Sequence, residues 1–198
     1  MEEFFKMVTE TEKLIKKIKQ RFIENAVRLG IELWQPIDGY DKYEVSTFGR
    51  VRSNYKNGKT KTLSLRKNTN NYYQVSLCRD SYAKNFDVHR LVAQTFIPNP
   101  EGKKCVDHKN NNRLDNNINN LRWATVAENQ YNRSITKTKT SGTKGVYYNK
   151  PTHNWRALIT INGISKHLGL FDDIEDAIKA RREASKKYFG EYQNKCEQ

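Results

Sequence analysis

The sequence is poor in cysteine, proline and long apolar runs. Its three cysteines, Cys78, Cys105 and Cys196, are far apart and form no CxxC pair. This spacing argues against a disulfide scaffold and against a cysteine zinc cluster, and it suits a reducing intracellular compartment. No apolar run approaches a membrane span, and the first residues lack the layout of a secretory signal. Hydrophobic residues make up only 36% of the 198, which disfavours one large core and favours several small modules.

Acidic residues are also few relative to basic ones. The chain has 36 Lys and Arg against 22 Asp and Glu, a net charge of +14. The excess is not a basic tail, because residues 34–135 carry 17 basic and 9 acidic side chains and residues 136–198 carry 12 and 7. A folded surface this positive attracts polyanions, of which nucleic acid is the obvious one. From composition alone, the alternative to nucleic-acid binding is a charged surface that only keeps the protein soluble.

The N-terminal third begins with a helical pattern. Residues 3–29 predict a helix that Gly30 ends. We expect its apolar stripe to pack within the molecule, with a dimer seam as the alternative. The stripe consists of Phe4, Val8, Ile15, Ile18, Phe22, Val27 and Leu29.

Short strands and turns follow from Trp34. Residues 43–46 and 50–53 predict a hairpin. Residues 61–66 and 72–77 predict a second strand pair across an Asn-rich turn. A short apolar helix is expected over 90–96, ahead of two prolines that end it.

The C-terminal part predicts a sheet with one helix. Residues 134–143 are polar and predict a linker. Strands are expected over 144–150, 154–162 and 165–170, followed by a helix over 173–189, with Asp172 and Glu175 as a capping box. Alternation directs one set of β side chains toward this helix and leaves Arg156 and Thr160 on the outward face. The inward set is Trp155, Ala157, Ile159 and Ile161.

An acid and an imidazole adjoin at Asp107 and His108, at the end of a short strand. The loop that follows is unusual, since seven of the fourteen residues from 107 to 120 are Asn. Thr125 and Glu128 fit the S/T-x-x-E capping box, so a helix should begin at Thr125 with Asn129 in its first turns. A strand, a loop that folds back and a helix laid across the strand can gather Asp107, His108 and Asn129 around one point.

Such a group suits phosphodiester cleavage. A hard divalent cation needs oxygen ligands, which the Asp107 carboxylate and the Asn129 amide supply. The metal would neutralise charge in the transition state and stabilise the leaving 3′-oxygen. His108 points the other way on the strand and could accept a proton from the attacking water. Without its surroundings, an Asp-His pair is more often a surface turn.

Several motifs together resemble the HNH homing endonucleases of phages and large DNA viruses. These are Val88-His89-Arg90-Leu91-Val92-Ala93, Val106-Asp107-His108-Lys109, Asn120-Leu121-Arg122-Trp123 and Glu128-Asn129. Upstream, residues 34–40 and 43–53 resemble the NUMOD4 module that often precedes this core. Downstream, residues 145–147, 155–157 and 167–171 resemble an AP2 DNA-binding domain.

The resemblance implies a multi-module α+β chain. Its modules would be an N-terminal amphipathic helix (1–33), a NUMOD4-like β module (34–80), a ββα-metal HNH core (81–133), a linker (134–143) and an AP2-like three-stranded antiparallel sheet packed on one helix (144–192). Many relatives have an Asp-Gly turn where this chain has Asn110-Asn111-Asn112. Asn tolerates the left-handed conformation, so we expect the turn to be kept.

Residue roles follow from the same resemblance. It makes His108 the general base, Asn120 the residue that holds the loop and orients the histidine, and Asp107 and Asn129 the metal ligands. Asn at the third motif position disfavours tight transition-metal binding and favours Mg²⁺ or Mn²⁺. The residues that would meet DNA are Lys144, Tyr147, Asn149, Arg156, Thr160 and His167.

The implied activity is hydrolysis of double-stranded DNA to 5′-phosphate and 3′-hydroxyl ends. We expect no small-molecule cofactor, no membrane association, and a monomer or weak dimer inside a virus-infected cell. A catalytically silent, sequence-specific DNA-binding protein is the alternative. An RNA-binding or RNA-cleaving protein is a third possibility, disfavoured because no RNP-like or KH-like pattern occurs.

Overall fold

The computed structural model describes residues 2–133 and 141–194, with the side chains of residues 2–8 excepted. Most of the predicted linker (134–140) and Cys196 lie outside the described residues. The chain mixes helices with several small sheets, as the predicted multi-module α+β class requires. It divides into two compact units, Met1–Glu101 with Arg113–Arg122 and Gly102–Asn112 with Trp123–Gln198. In the described ranges, no helix is long and apolar enough to cross a bilayer.

The first unit contains a long helix, two antiparallel sheets and a short helix. Its first sheet has the sequential order β1-β2-β3-β4, and its second has the order β5-β6-β7. The elements are α1 (Glu2–Arg28), β1 (Trp34–Ile37), β2 (Tyr40–Ser46), β3 (Val51–Asn54), β4 (Thr60–Thr62), β5 (Arg66–Lys67), β6 (Tyr73–Arg79), β7 (Tyr82–Asp87), α2 (Val88–Phe96) and a 3₁₀ turn (Ile118–Asn120).

Helix α2 forms the core of this unit, because it packs against strands of both sheets. Its apolar face is fully covered, as are the inward β side chains that it meets. The buried set is Val45, Val51, Val75, Leu77, Val88, Leu91, Val92 and Phe96. His89 is buried as well, and its ring lies 4.8 Å from the ring of Tyr72, centre to centre.

One prediction in this unit is wrong, and one strand was missed. The expected single strand over 61–66 is split: Thr60–Thr62 pairs with β3, while Arg66–Lys67 pairs with β6. The strand Tyr82–Asp87 was not predicted, because most of its side chains are exposed and show no alternation.

The expected packing of the α1 stripe is also wrong for most of the members whose side chains are described, among which Val27 is half-buried and the others are exposed. Ile15 and Phe22 are 59% and 61% exposed, whereas Ile23 and Ala26 are 3% and 5% exposed. Periodicity shows which side chains share a face, but it does not show how much of the helix is covered. In α1 the buried residues Ile23 and Ala26 lie near its C-terminal end.

The second unit contains a small ββα motif and a separate sheet with one helix. Strand β8 pairs with β9, whose last two residues belong to this unit, and β10, β11 and β12 form an antiparallel sheet in that order. The elements are β8 (Cys105–His108), β9 (Leu121–Ala124), α3 (Val126–Tyr131), β10 (Val146–Asn149), β11 (Asn154–Ile161), β12 (Ile164–Phe171) and α4 (Ile174–Phe189), with 3₁₀ turns at Lys150–Thr152 and Gly190–Tyr192.

Helix α4 packs across one face of the three-stranded sheet, as predicted. Small side chains on both elements allow the close approach, since Ala157 and Ala177 are fully buried against Val146. The α4 N-cap is Asp173, which accepts a hydrogen bond from the Glu175 main-chain nitrogen at 2.7 Å. The predicted box with Asp172 is therefore wrong by one residue.

The end of α3 is attached to this sheet and helix. The Tyr131 ring stacks on Phe189 at 4.0 Å between centres and 13° between planes. The Tyr131 hydroxyl donates to Asn162 Oδ1 (2.8 Å) and accepts from the Asn162 main-chain nitrogen (3.1 Å). Apolar stacking and paired hydrogen bonds thus join the ββα motif to the C-terminal module within this unit.

Candidate active site

The predicted acid and imidazole both lie at the end of β8, and both are buried. Asp107 is 4% exposed and His108 is 5% exposed. The side-chain nitrogen of Asn132 donates to Asp107 Oδ1 (3.0 Å) and Oδ2 (3.1 Å) and to the His108 main-chain oxygen (2.9 Å). Burial of a carboxylate is costly unless it is hydrogen-bonded, and here the Asn132 amide supplies such a bond.

The turn after β8 keeps the predicted left-handed residue. Asn111 has φ of 60°, and its main-chain nitrogen donates to the His108 main-chain oxygen at 2.8 Å. Asn tolerates this conformation better than other non-glycine residues. The Asn111 amide nitrogen then reaches Asn132 Oδ1 at 3.2 Å. The expectation that the turn is kept, with an asparagine in the left-handed conformation, is confirmed.

Helix α3 packs against β8 and begins with the predicted capping box. The Glu128 main-chain nitrogen donates to Thr125 Oγ1 (3.2 Å), and the Thr125 nitrogen donates to Glu128 Oε2 (2.6 Å). Asn129 lies in the first turns, half-buried, and Asn132 follows it by three residues at the helix end. Side chains three apart share one side of a helix, so Asn129 lies on the side of α3 from which Asn132 meets Asp107.

A half-buried lysine fixes the first turn of α3. Lys103 Nζ donates to Glu128 Oε1 (3.1 Å) and to the Tyr192 hydroxyl (3.2 Å), which itself donates to the Trp123 main-chain oxygen (2.9 Å). The hydrogen bond with Tyr192, followed by that with Glu128, raises the pKa of Lys103. Burial alone would raise the pKa of Glu128, but hydrogen bonds from Thr125 and Lys103 outweigh it and lower that pKa.

Asn120 belongs to the first unit. It is 8% exposed, and its amide nitrogen donates to the Asp115 main-chain oxygen at 2.8 Å. Nearby, the Ile118 main-chain nitrogen donates to the Thr47 oxygen at 2.8 Å. Asn120 therefore closes its own loop, as expected of it, while its orienting action on the histidine stays a prediction.

Five of the six predicted DNA-contacting residues share one face of the β10–β12 sheet. Tyr147 pairs with Arg156 across the strands, and residues directly opposite point to the same side. This face is opposite the one that α4 covers, and Arg156 and Thr160 are exposed on it, as predicted. The five are Tyr147, Asn149, Arg156, Thr160 and His167.

The sixth residue lies elsewhere. Lys144 precedes β10, and its ammonium donates to the main-chain oxygens of Gln130 (3.4 Å) and Tyr131 (3.0 Å). These are carbonyls at the end of α3, where a cation is favoured by the helix dipole. The structure thus ties Lys144 to the ββα motif.

Sequence reasoning missed Asn132, whose amide nitrogen donates to both oxygens of the Asp107 carboxylate. Nothing local distinguishes it from a polar residue at the exposed end of a short helix, yet it is 1% exposed. In the described ranges, no three His, Cys, Asp or Glu side chains cluster in a way that could hold a metal.

Comparison with known proteins places these residues in a family. The model of the NUMOD4 motif matches residues 32–78, and the HNH endonuclease model matches residues 87–131, the segment that contains Asp107, His108, Asn120 and Asn129. A solved structure of DNA binding and cleavage by the HNH homing endonuclease I-HmuI shares 34% sequence identity, over 68% of this chain and 76% of that one, with a TM-score of 0.46. The chain belongs to the HNH endonuclease family.

Other HNH relatives match parts of the chain. The protein is 38% identical over 144 residues to the uncharacterized HNH endonuclease L245 of Acanthamoeba polyphaga mimivirus. This alignment covers 73% of this chain and 39% of the relative. It is 40% identical over 104 residues to DNA endonuclease I-HmuI of Bacillus phage SP01, covering 50% of this chain and 58% of the relative. The chain thus spans less than two thirds of the length of these two HNH proteins.

Proposed function

We propose that the chain is a metal-dependent DNA endonuclease of the HNH homing type, which hydrolyses double-stranded DNA to 5′-phosphate and 3′-hydroxyl ends. The observation that carries this proposal is the buried Asp107 carboxylate, held at the end of β8 by α3, the same helix that presents Asn129. HNH nucleases generally depend on a divalent metal, and an endonuclease of this family, I-HmuI, is among the relatives.

The donor set fits a hard divalent cation. A carboxylate has about four lone-pair sites, and each oxygen of Asp107 accepts from Asn132 Nδ2. Asp107 and Asn129 would hold Mg²⁺ or Mn²⁺ through oxygen atoms, which such ions prefer. When bound, the cation supplies Lewis acidity that offsets charge at the phosphate and stabilises the leaving 3′-oxygen.

The protein's own groups complete the chemistry. His108 accepts the proton of the attacking water at an imidazole nitrogen, the role that histidine most often fills in general-base catalysis. Asn120 keeps its loop closed through the bond to the Asp115 oxygen. The AP2-like sheet presents its open face, with Arg156 and Tyr147, to the DNA, since strands can enter the major groove.

The proposal also covers the binding of DNA, the cellular compartment and the oligomeric state. A chain of net charge +14 is attracted to the phosphate backbone. Cys78 and Cys105 are free, as they would be in the reducing interior of an infected cell. The protein acts as a monomer or weak dimer, without a small-molecule cofactor.

The test is cleavage of supercoiled plasmid DNA by the purified chain with Mg²⁺ or Mn²⁺, and with EDTA as the metal-free arm. We expect nicked or linear product only with metal, and 5′ ends that polynucleotide kinase labels only after phosphatase treatment. His108→Ala should lower the single-turnover rate about 10²–10⁴-fold, the usual contribution of a general base. His153→Ala is the matched control, because His153 is an exposed residue in a turn of the C-terminal sheet.

Three other outcomes would contradict this proposal in whole or in part. If His108→Ala cleaves as fast as the parent, His108 is not the base. Salt-sensitive DNA binding without cleavage under any divalent metal would favour the catalytically silent DNA-binding protein. Preferential competition by RNA over duplex DNA would favour an RNA-directed function.

A further inference from the structure

We propose that Asn132 is a positioning residue of the nuclease centre: its amide fixes the Asp107 carboxylate, and Asn194 fixes Asn132 in turn. This inference rests on the proposed function. It assigns a role to two residues outside the predicted site, one at the end of α3 and one beyond α4.

The contacts of Asn132 set the plane of the carboxylate. Its amide nitrogen lies 3.0 Å and 3.1 Å from the two oxygens of Asp107. A donor shared nearly equally by both oxygens restrains rotation of the carboxyl group about its Cβ–Cγ bond. The same nitrogen lies 2.9 Å from the His108 main-chain oxygen, so it ties the side chain of one site residue to the backbone of the next.

The orientation of the Asn132 amide is itself determined by its neighbours. Its side-chain oxygen accepts from the Asn111 amide nitrogen (3.2 Å) and lies 3.5 Å from the Asn194 amide nitrogen. A flipped amide would place its oxygen against the Asp107 carboxylate and its nitrogen against two donors. The three asparagines therefore allow one arrangement, in which the donor faces Asp107.

Asn194 brings the C-terminal segment into this network. Its amide nitrogen also donates to the Asn132 main-chain oxygen, and Asn194 is 3% exposed. A buried amide network of this kind is rigid only when every member has its partners. Removal of Asn194 should loosen Asn132 and, through it, Asp107.

The matched control lies on the same helix. Tyr131 is adjacent to Asn132, and its hydroxyl bonds to Asn162 rather than to Asp107. Tyr131→Phe therefore perturbs the end of α3 without touching the carboxylate. Asn111→Gly is a second, milder test, because glycine keeps the left-handed turn while it removes one donor to Asn132.

The experiment measures Mn²⁺ binding to the DNA-free protein by titration calorimetry, together with kcat and KM on plasmid DNA. Asn132→Ala should weaken Mn²⁺ binding and lower kcat by about 10–100-fold, the usual effect of removing a partner that orients a metal ligand. KM for DNA should stay within about twofold, because the Asn132 amide is buried. Asn194→Ala and Asn111→Gly should shift Mn²⁺ affinity in the same direction by less, and Tyr131→Phe should leave it unchanged.

The outcomes separate this inference from the proposed function. A parent chain that neither binds Mn²⁺ nor cleaves DNA overturns both. If the parent chain binds Mn²⁺ and cleaves DNA, and if folded Asn132→Ala and Asn194→Ala match it in Mn²⁺ affinity and in kcat, the positioning role alone is overturned. If Asn132→Ala does not fold by circular dichroism, Asn194→Ala and Asn111→Gly decide. Equal losses in Tyr131→Phe would show that Asn132 acts only through helix packing.

Discussion

Gly49, in the turn between β2 and β3, offers a sharp test of how the first unit is packed. Its φ is +78°, and a Cβ built on it would lie 2.7 Å from Asn116 Cβ and 3.0 Å from the Asn116 main-chain oxygen. Asn116 is 4% exposed and lies in the loop that Asn120 closes. Carbon atoms do not approach this closely without strain, so Gly49→Ala must displace either the turn or the loop.

The magnitude can be worked out with a matched glycine. Gly58 has nearly the same φ, +76°, but a Cβ there would meet nothing within 4 Å. Placing alanine in the left-handed region costs about 1 kcal/mol at either position. Overpacking a tight site costs about 1–3 kcal/mol more. Gly58→Ala should therefore lose about 1 kcal/mol of unfolding free energy, and Gly49→Ala about 2–4 kcal/mol.

The assay is urea unfolding followed by the fluorescence of the tryptophans, one of which, Trp34, lies in β1. Because Asn116 and Asn120 share a loop, Gly49→Ala should also slow DNA cleavage, whereas Gly58→Ala should not. Equal losses of stability in the two variants would refute the close contact between the turn and the loop. A larger loss of stability in Gly49→Ala together with normal cleavage would show that cleavage does not depend on the position of this loop.

Three more predictions concern the second unit. Because its pKa is lowered below the ordinary 4.5, Glu128 stabilises the fold above that pH and loses this effect as the pH falls through the folded-state value. Unfolding curves at several pH values should therefore show Glu128→Gln less stable than the parent at pH 7, with the difference shrinking below pH 4.5. Arg156→Ala should weaken DNA binding in gel-shift titrations and reduce the salt slope by about 1; an unchanged slope would remove Arg156 from the interface. Tyr131→Phe should lose about 1 kcal/mol of unfolding free energy, the usual net value of a hydrogen bond, and full stability would contradict its bonds to Asn162.

Features set by neighbouring residues were predictable from the sequence. The box of Thr125 and Glu128 is local, because both partners lie in one helical turn. The left-handed Asn111 follows from the conformational preference of asparagine. The β11 alternation, with Ala157 and Ile159 inward and Arg156 outward, follows from the pleat of a strand. All of these rest on contacts within a few residues of chain.

Features that depend on distant partners were not predictable. The segment 61–66 reads as one strand, but its two ends pair with different sheets. Asn132 and Asn194 are 62 positions apart and meet only in the folded chain. The α1 stripe failed for the same reason, since burial of Ile23 in place of Ile15 depends on what lies against the helix.

The contacts around Tyr131 have a consequence for building chimaeras. A graft that replaces β10–β12 and α4 of this chain with the sheet and helix of another protein would lose the Phe189 ring that stacks on Tyr131 and the Asn162 groups that bond its hydroxyl. It would also lose the amide that reaches Asn132 from position 194. Recombination that exchanges β10–β12 and α4, in nature or in the laboratory, must therefore also transfer Phe189, Asn162 and Asn194. Otherwise the end of α3 in the recipient protein has to be redesigned.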